Sequence, residues 1–107
     1  MSHPVDRLRD VAIARALRGP GRASTAARQA AFDNAGVDER ARVLIDKVAR
    51  HAWKVTDADV EAAKAGGLTE DEIFELVVCA AYGQASRQLH QALAVVDAAT
   101  AAHKEQD

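Results

Sequence analysis

The chain is poor in residues that cross-link or fill protein interiors. It has 107 residues, including one cysteine, one tryptophan, one tyrosine and two phenylalanines. Because Cys79 is the only cysteine, no disulfide can form within the chain.

The sequence also lacks the features that direct a protein to membranes or nucleic acids. It contains no run of about 18 apolar residues, so no membrane-spanning helix is predicted. Charged residues interrupt the N-terminal segment from Asp6 to Asp10, which therefore has no apolar signal core. The formal net charge is −2 with both signs mixed, whereas nucleic acids and anionic membranes require a concentrated basic face. We expect a cytoplasmic protein with neither of these partners.

The apolar content consists mainly of small side chains. Hydrophobic residues make up 49% of the chain but aromatic residues only 4%, and alanine dominates. Such a core requires helices that approach each other closely. Since burial contributes only about 25 cal/mol per Å² of apolar surface, we expect further surface to be buried between copies of the chain in a homo-oligomer.

The spacing of the apolar residues predicts an all-α fold of about five helices, because period-two alternation is absent beyond a few residues. The length of the chain predicts one domain, residues 1–107. Helices are expected over residues 4–18, 24–32, 38–53, 57–65 and from 70 to beyond 98.

Residues 55–76 contain two helix starts with a stop between them. Thr56 is a favourable N-cap. One of Gly66 and Gly67 is expected to take the left-handed conformation that ends a helix. Thr69, with Glu72 three residues later, predicts a capping box that opens the last helix.

The last helix carries an apolar stripe along one face. Ile73, Val77 and Ala80 widen it at the N-terminal end, so we expect the first half to be buried on two sides and the second half on one. Gly83 either kinks this helix or marks a close packing contact. The stripe consists of Phe74, Val78, Ala81, Ala85, Leu89, Ala92 and Val96.

A short helix from Asp59 to Lys64 precedes an Ala-Gly-Gly-Leu turn at residues 65–68 and a Thr-Glu-Asp-Glu-Ile run at 69–73. With the preceding run at 44–53, these motifs resemble the carboxymuconolactone decarboxylase and alkylhydroperoxidase-D-like family. The resemblance covers residues 38–93, about half of the chain, and leaves residues 1–36 unexplained. It implies an alkylhydroperoxidase-D-like helical bundle with a long C-terminal helix.

Members of that family with peroxidase activity carry a Cys-x-x-Cys-x-x-x-His motif before this turn and a glutamate upstream. Aligned on the turn, the cysteines fall on Ala52 and Val55, the histidine on Asp59 and the glutamate on Arg40. Because peroxide reduction needs an attacking thiolate and a resolving thiol, the resemblance implies a member without peroxidatic cysteines. We expect no cofactor.

Cys79 lies among valine and alanine residues on the last helix. Apolar surroundings raise the pKa of a thiol, which favours an inert buried cysteine. A one-cysteine antioxidant peroxidase using an external thiol is the alternative, and it requires Cys79 to be exposed with a low pKa.

Five residues are candidates for a functional site, which is expected between the end of the third helix and the start of the last helix. His51 and Asp59 are candidate acid–base catalytic groups, and Trp53, Glu72 and Tyr82 are candidate ligand contacts. Each also has a structural interpretation: a histidine at a helix C-terminus, a carboxylate at a helix N-terminus, or a tryptophan that fills the core. The histidines at 3, 51, 90 and 103 lack the spacing of metal ligands, so no metal is expected.

Two classes of function remain open. The first is a non-redox oligomer that binds a small molecule or a partner protein. The second is a cofactor-free acid–base enzyme with decarboxylase or lactone-type chemistry. The enzyme requires His51 and Asp59 to converge in a concave pocket that excludes water, whereas a solvent-facing His51 favours the binding class.

Overall fold

The computed structural model describes the backbone of residues 4–106 and the side chains of residues 7–102. Within these residues all regular secondary structure is helical, with a long C-terminal helix, which confirms the all-α prediction. The helices are α1 (Pro4–Arg18), α2 (Thr25–Asp33), α3 (Arg42–His51), α4 (Asp57–Ala65) and α5 (Glu70–Gln106), with a 3₁₀ turn at Ala52–Lys54. None of the helices formed by residues 4–106 combines the length and hydropathy needed to cross a bilayer.

The predicted helix ends are present as local hydrogen bonds. Thr69 Oγ1 accepts from the Glu72 N–H at 3.1 Å, and Glu72 Oε1 accepts from the Thr69 N–H at 3.1 Å. This is the predicted capping box. Gly67 follows α4 with φ +108°, a conformation that side chains disfavour. Ser24 caps α2, since its Oγ accepts from the Ala27 N–H at 3.0 Å.

The third helix begins later than predicted, at Arg42 instead of near residue 38. The Asp38 carboxylate accepts hydrogen bonds from the Arg40 backbone at 2.9 Å and from its guanidinium at 3.0 and 2.8 Å. These bonds lower the pKa of Asp38 to about 2. A carboxylate bound to the backbone two residues ahead favours a turn over a helix. The helix also ends earlier than predicted, at His51, so Trp53 lies in the 3₁₀ turn.

The core lies along one side of the first half of α5, and every α-helix contributes to it. Ile45 and Cys79 are the largest side chains that are fully buried. The buried members of the cluster include five alanines and no aromatic residue, as the composition predicts. The remaining members of the cluster are Leu17, Ala23, Ala31, Val37, Ala41, Leu44, Ala63, Leu68, Ile73, Leu76 and Ala80.

The apolar stripe of α5 lies outside this core. At 100° per residue, the buried residues of α5 point well away from the centre of the stripe, Leu76 by about 180° and Cys79 by about 120°. Phe74 is 69% exposed and Val96 is 57% exposed. The predicted burial of the first half on two sides is therefore not met within the single chain. All residues of α5 from position 88 to 102 are exposed.

Gly83 marks the closest approach between α2 and α5. A Cβ atom at this position would overlap the carbonyl oxygen of Phe32 and lie 2.7 Å from its carbonyl carbon. One turn further along, Arg87 Nη1 donates to the same carbonyl oxygen at 2.7 Å. Of the two interpretations of Gly83, the structure supports close packing.

Two charged side chains hold the loop between α1 and α2. Arg28 is only 5% exposed and donates through Nη1 to the carbonyl oxygens of Ala16 at 3.2 Å and Gly19 at 2.7 Å. A cation is favourable at the C-terminal end of α1, where the helix dipole is negative. From α5, the Glu75 carboxylate accepts from the N–H groups of Arg22 at 2.9 Å and Ala23 at 3.1 Å.

We predict that Gly83→Ala destabilises the protein. At an open helical position the same change stabilises by about 1 kcal/mol, but here the methyl group meets backbone. Overpacking of this kind costs about 1–3 kcal/mol. Urea unfolding followed by circular dichroism measures the change. Gln91→Ala, at an exposed position of α5, is the control, and its effect should stay within about 0.5 kcal/mol. An increase in stability for Gly83→Ala would contradict the close contact.

Candidate functional site

His51 and Trp53 meet where α3 gives way to the 3₁₀ turn. Their ring centroids lie 5.1 Å apart in an edge-to-face arrangement with an interplanar angle of 72°. Both side chains are exposed, and Trp53 is 77% exposed. Within the single chain Trp53 therefore does not fill the core. The exposed indole of Trp53 offers an apolar surface, and the imidazole ring of His51 lies beside it.

Trp53 lines a concavity of about 280 Å³ between the end of α3 and the middle of α5. Its apolar walls include Ala81 and Ala85 of the exposed α5 stripe. The amide side chains of Gln84 and Gln88, one turn apart, lie on its rim. The complete lining is Val48, Ala49, Arg50, Ala52, Trp53, Ala81, Gln84, Ala85 and Gln88. Such a surface fits an apolar or aromatic group better than a charged one.

Asp59 lies in the first turn of α4 and is held from several sides. Lys47 Nζ is 2.9 Å from both carboxylate oxygens. Oδ2 also accepts from the Thr56 N–H at 2.9 Å and from its hydroxyl at 3.1 Å. The hydrogen bond from Lys47, followed by those from Thr56, holds the pKa of Asp59 below its usual value. A carboxylate kept ionised and occupied in this way joins α3 to α4 and is a poor proton acceptor.

Glu72 and Tyr82 do not join the His51–Trp53 pair. The Glu72 carboxylate serves the capping box at the start of α5. Tyr82 is half-buried on α5 and does not line the Trp53 concavity. Of the five candidate residues, only His51 and Trp53 are thus in contact.

Cys79 is fully buried, and its thiol donates to the carbonyl oxygen of Ala16 at 3.4 Å. Burial raises the pKa of this thiol, which lowers the fraction of reactive thiolate at neutral pH. The expectation of a buried cysteine is confirmed. The exposed, acidic thiol that a one-cysteine peroxidase requires is not present at this position.

Sequence reasoning missed Lys47 and the two glutamines near Trp53. Lys47 lies twelve residues from Asp59, too far along the chain for a local motif to reveal the pair. The separation of Gln84 and Gln88 by four residues does place them on one side of a helix. That spacing was the signal in the sequence that Gln84 and Gln88 lie together, although it does not identify Trp53 as their neighbour.

A second concavity, of about 420 Å³, lies beside α3 and has Arg42, Lys47, Arg50 and Asp46 in its lining. Two of its cations already have acidic partners, since Lys47 binds Asp59 and Arg50 Nε is 3.1 Å from Asp46 Oδ1. It therefore offers ion pairs instead of an open anion site. Within the described part of the chain, no three potential metal-ligating side chains cluster together.

Comparisons with models of known protein families, with curated proteins and with solved structures found no match to this chain.

We predict that Asp59→Asn removes a pH-dependent part of the stability. Because the pKa of Asp59 is lowered in the folded state, its contribution is present above the unfolded pKa, near 4, and is lost as the pH falls through the folded value. Wild type should therefore melt at a higher temperature than the variant at pH 7, and the two should converge towards pH 2.

The control for this comparison is Asp57→Asn, which removes an exposed carboxylate from the same helical turn. Asp57 makes none of the bonds to Lys47 or Thr56, so its substitution should not reproduce the effect. An equal difference in melting temperature between wild type and Asp59→Asn at every pH would contradict the assigned ion pair.

Proposed function

We propose that this chain is a non-redox member of the carboxymuconolactone decarboxylase and alkylhydroperoxidase-D-like family that assembles as a homo-oligomer and binds a small molecule or a partner protein. The family assignment rests on the motifs at residues 59–73, and the all-helical fold is consistent with it. One observation carries the binding function. Trp53, 77% exposed, borders a concavity whose opposite wall is the exposed apolar face of α5.

The assembly part of the proposal is supported by the exposed face of α5. We call this stripe, formed by Phe74, Val78, Ala81, Ala85, Leu89, Ala92 and Val96, the outer face of α5. At a rise of 1.5 Å per residue it extends over about 33 Å. Leu89, one position from the middle of the stripe, is 38% exposed, and Phe74 and Val96 at its two ends are 69% and 57% exposed. Contiguous apolar surfaces of this kind commonly mark interaction sites.

The acid–base enzyme is less well supported than the binding protein. Its two candidate groups, His51 and Asp59, serve different purposes in the structure. Asp59 is engaged by Lys47 and Thr56, while His51 is exposed and does not line the concavity beside Trp53. A general base must reach the proton that it removes within an environment that limits water. The positions of these two residues favour a protein that binds a ligand without catalysing a reaction.

We predict that the wild-type protein is larger than a monomer and that Ala85→Glu reduces it to one. A carboxylate at the middle of the outer face would have to be desolvated without a partner, which opposes association. Light scattering at micromolar concentration measures the mass. The control, Gln91→Glu, adds the same charge at an exposed position away from the outer face and should leave the mass unchanged. A monomeric wild-type protein would disprove the assembly.

We predict that Trp53→Ala impairs binding but leaves the single chain stable. Truncating a buried tryptophan costs about 3–5 kcal/mol, whereas an exposed position should change stability by less than about 0.5 kcal/mol. Stability is measured by urea unfolding in the monomeric Ala85→Glu background, so that loss of assembly does not contribute.

Binding is measured in the assembled protein with anilinonaphthalene sulfonate as an apolar probe and by native mass spectrometry of co-purified ligands. We expect affinity for the probe to fall about tenfold, which corresponds to about 1.4 kcal/mol. If Trp53→Ala keeps both its stability and its affinity, the concavity beside Trp53 is not the site.

A further inference from the structure

The outer face of α5 is symmetric along the helix about Ala85. Its residues follow one another at intervals of 4, 3, 4, 4, 3 and 4 positions, so the order is the same when read in either direction. At 100° per residue all seven lie within an arc of about 80°. A second copy of this helix, turned to run in the opposite direction, therefore presents its own outer face in register.

Side-chain sizes complement one another in this antiparallel register. Phe74 meets the partner's Val96, Val78 meets the partner's Ala92, and Ala81 meets the partner's Leu89. Each larger side chain thus faces a smaller one. In a parallel register every residue would meet its own copy, which places phenylalanine on phenylalanine and alanine on alanine. Ala85 lies at the centre of the antiparallel pair, where small side chains let helix axes approach to about 8 Å.

Charge favours the same direction. The first turn of α5 carries Glu70, Asp71 and Glu72. A parallel pair would bring two such acidic turns together, and like charges that face each other oppose association. In the antiparallel register, Glu70 and Asp71 lie level with the partner's Thr100 and the partner's Ala99, which are uncharged. The helix dipoles are also opposed in this arrangement.

The pairing also affects the site beside Trp53. Ala81 and Ala85 belong both to the outer face and to the wall of the Trp53 concavity. A partner helix laid along the outer face covers the open side of this concavity with the partner's Ala85 and the partner's Leu89. The two-fold axis at Ala85 repeats the closure on the other chain.

We infer that two copies of the chain pair through α5 in an antiparallel arrangement centred on Ala85, and that this pairing completes two equivalent sites for an apolar or aromatic small molecule, each beside one Trp53. This inference rests on the homo-oligomer proposed above. It adds the direction of the pairing, the register and the chemical class of the ligand. Each site is open in the single chain and enclosed only in the pair.

The exposed aromatic side chains supply part of the area that a stable dimer requires. A phenylalanine or tryptophan buries about 150–250 Å² when it is covered completely. With Phe74 69% and Trp53 77% exposed, these side chains from two copies contribute about 400–700 Å². That is about half of the 1,200 Å² typical of small specific interfaces. Leu89, Val96 and the alanines of both copies supply further area.

Single cysteines on the outer face test the register. They are introduced into a Cys79→Ser background, in which the serine hydroxyl can still donate to Ala16. Ala85→Cys should form an intermolecular disulfide on mild oxidation, because Cα atoms within about 4.4–6.8 Å can be bridged. Ala81→Cys and Leu89→Cys should not cross-link efficiently alone but should do so when the two proteins are mixed. Gln91→Cys, away from the outer face, is the unreactive control.

The outcomes separate this inference from the assembly on which it rests. A monomeric protein with no cross-link at any position would overturn both. An oligomer in which Ala81→Cys cross-links to itself would support the assembly but overturn the antiparallel register. An oligomer in which Ala85→Cys forms no cross-link would show that the interface lies outside the outer face and would overturn the inference.

Fluorescence of Trp53, the only tryptophan, tests the closure of the site. Quenching by acrylamide should be several-fold weaker in the disulfide-linked Ala85→Cys dimer than in the monomeric Ala85→Glu variant. Anilinonaphthalene sulfonate should bind the linked dimer at least about tenfold more tightly than it binds a monomeric Ala92→Glu variant, whose added charge is on the outer face but outside the lining of the Trp53 concavity. Equal quenching and equal affinity in the linked dimer and in the monomeric variants would show that pairing does not complete the site.

Discussion

The close approach of α2 to α5 at Gly83 is the contact on which the rest of the packing depends. A core built from residues such as Ala31 and Ala80 has few atoms with which to fill space, so its helices must come near enough for their backbones to touch. The missing side chain at position 83 permits this contact with Phe32, and Arg87 donates a hydrogen bond to the carbonyl oxygen of Phe32. Dispersion contacts that large side chains usually provide are here made between backbones.

Polar contacts position α1 against this pair of helices. Arg28 holds the end of α1, and Glu75 reaches from α5 to the backbone that leads into α2. With α1 in place, Cys79 is enclosed and donates to Ala16. The burial of the thiol, which raises its pKa, is therefore a consequence of how three helices are tied together.

The proposed binding and assembly surfaces lie on the side of α5 that this core leaves free. The residues on the inner side of α5 pack against α1, α2 and α3. The outer face of α5 extends beyond these helices, and no other element of the described chain covers it. The 3₁₀ turn holds Trp53 beside that face, and the ion pair between Lys47 and Asp59 ties α3 to α4 on either side of this turn. The concavity beside Trp53 thus borders the exposed outer face of α5, and the shared site proposed above depends on this arrangement.

Helix ends and the all-α class followed from the amino-acid sequence because their hydrogen bonds span only a few residues. The capping box of Thr69 and Glu72 and the left-handed Gly67 are examples. The start of α3 was mispredicted because the bond between Asp38 and Arg40 competes with the helix.

Of the candidate site, the sequence identified His51 and Trp53 as neighbours but also grouped them with Glu72 and Tyr82, which lie apart. Both sides of α5 are apolar, so the periodicity of the sequence could not show which side packs into the core and which side stays exposed. Only the packing of α2 against Gly83 settled that choice, because a contact between segments about fifty residues apart leaves no trace in local spacing.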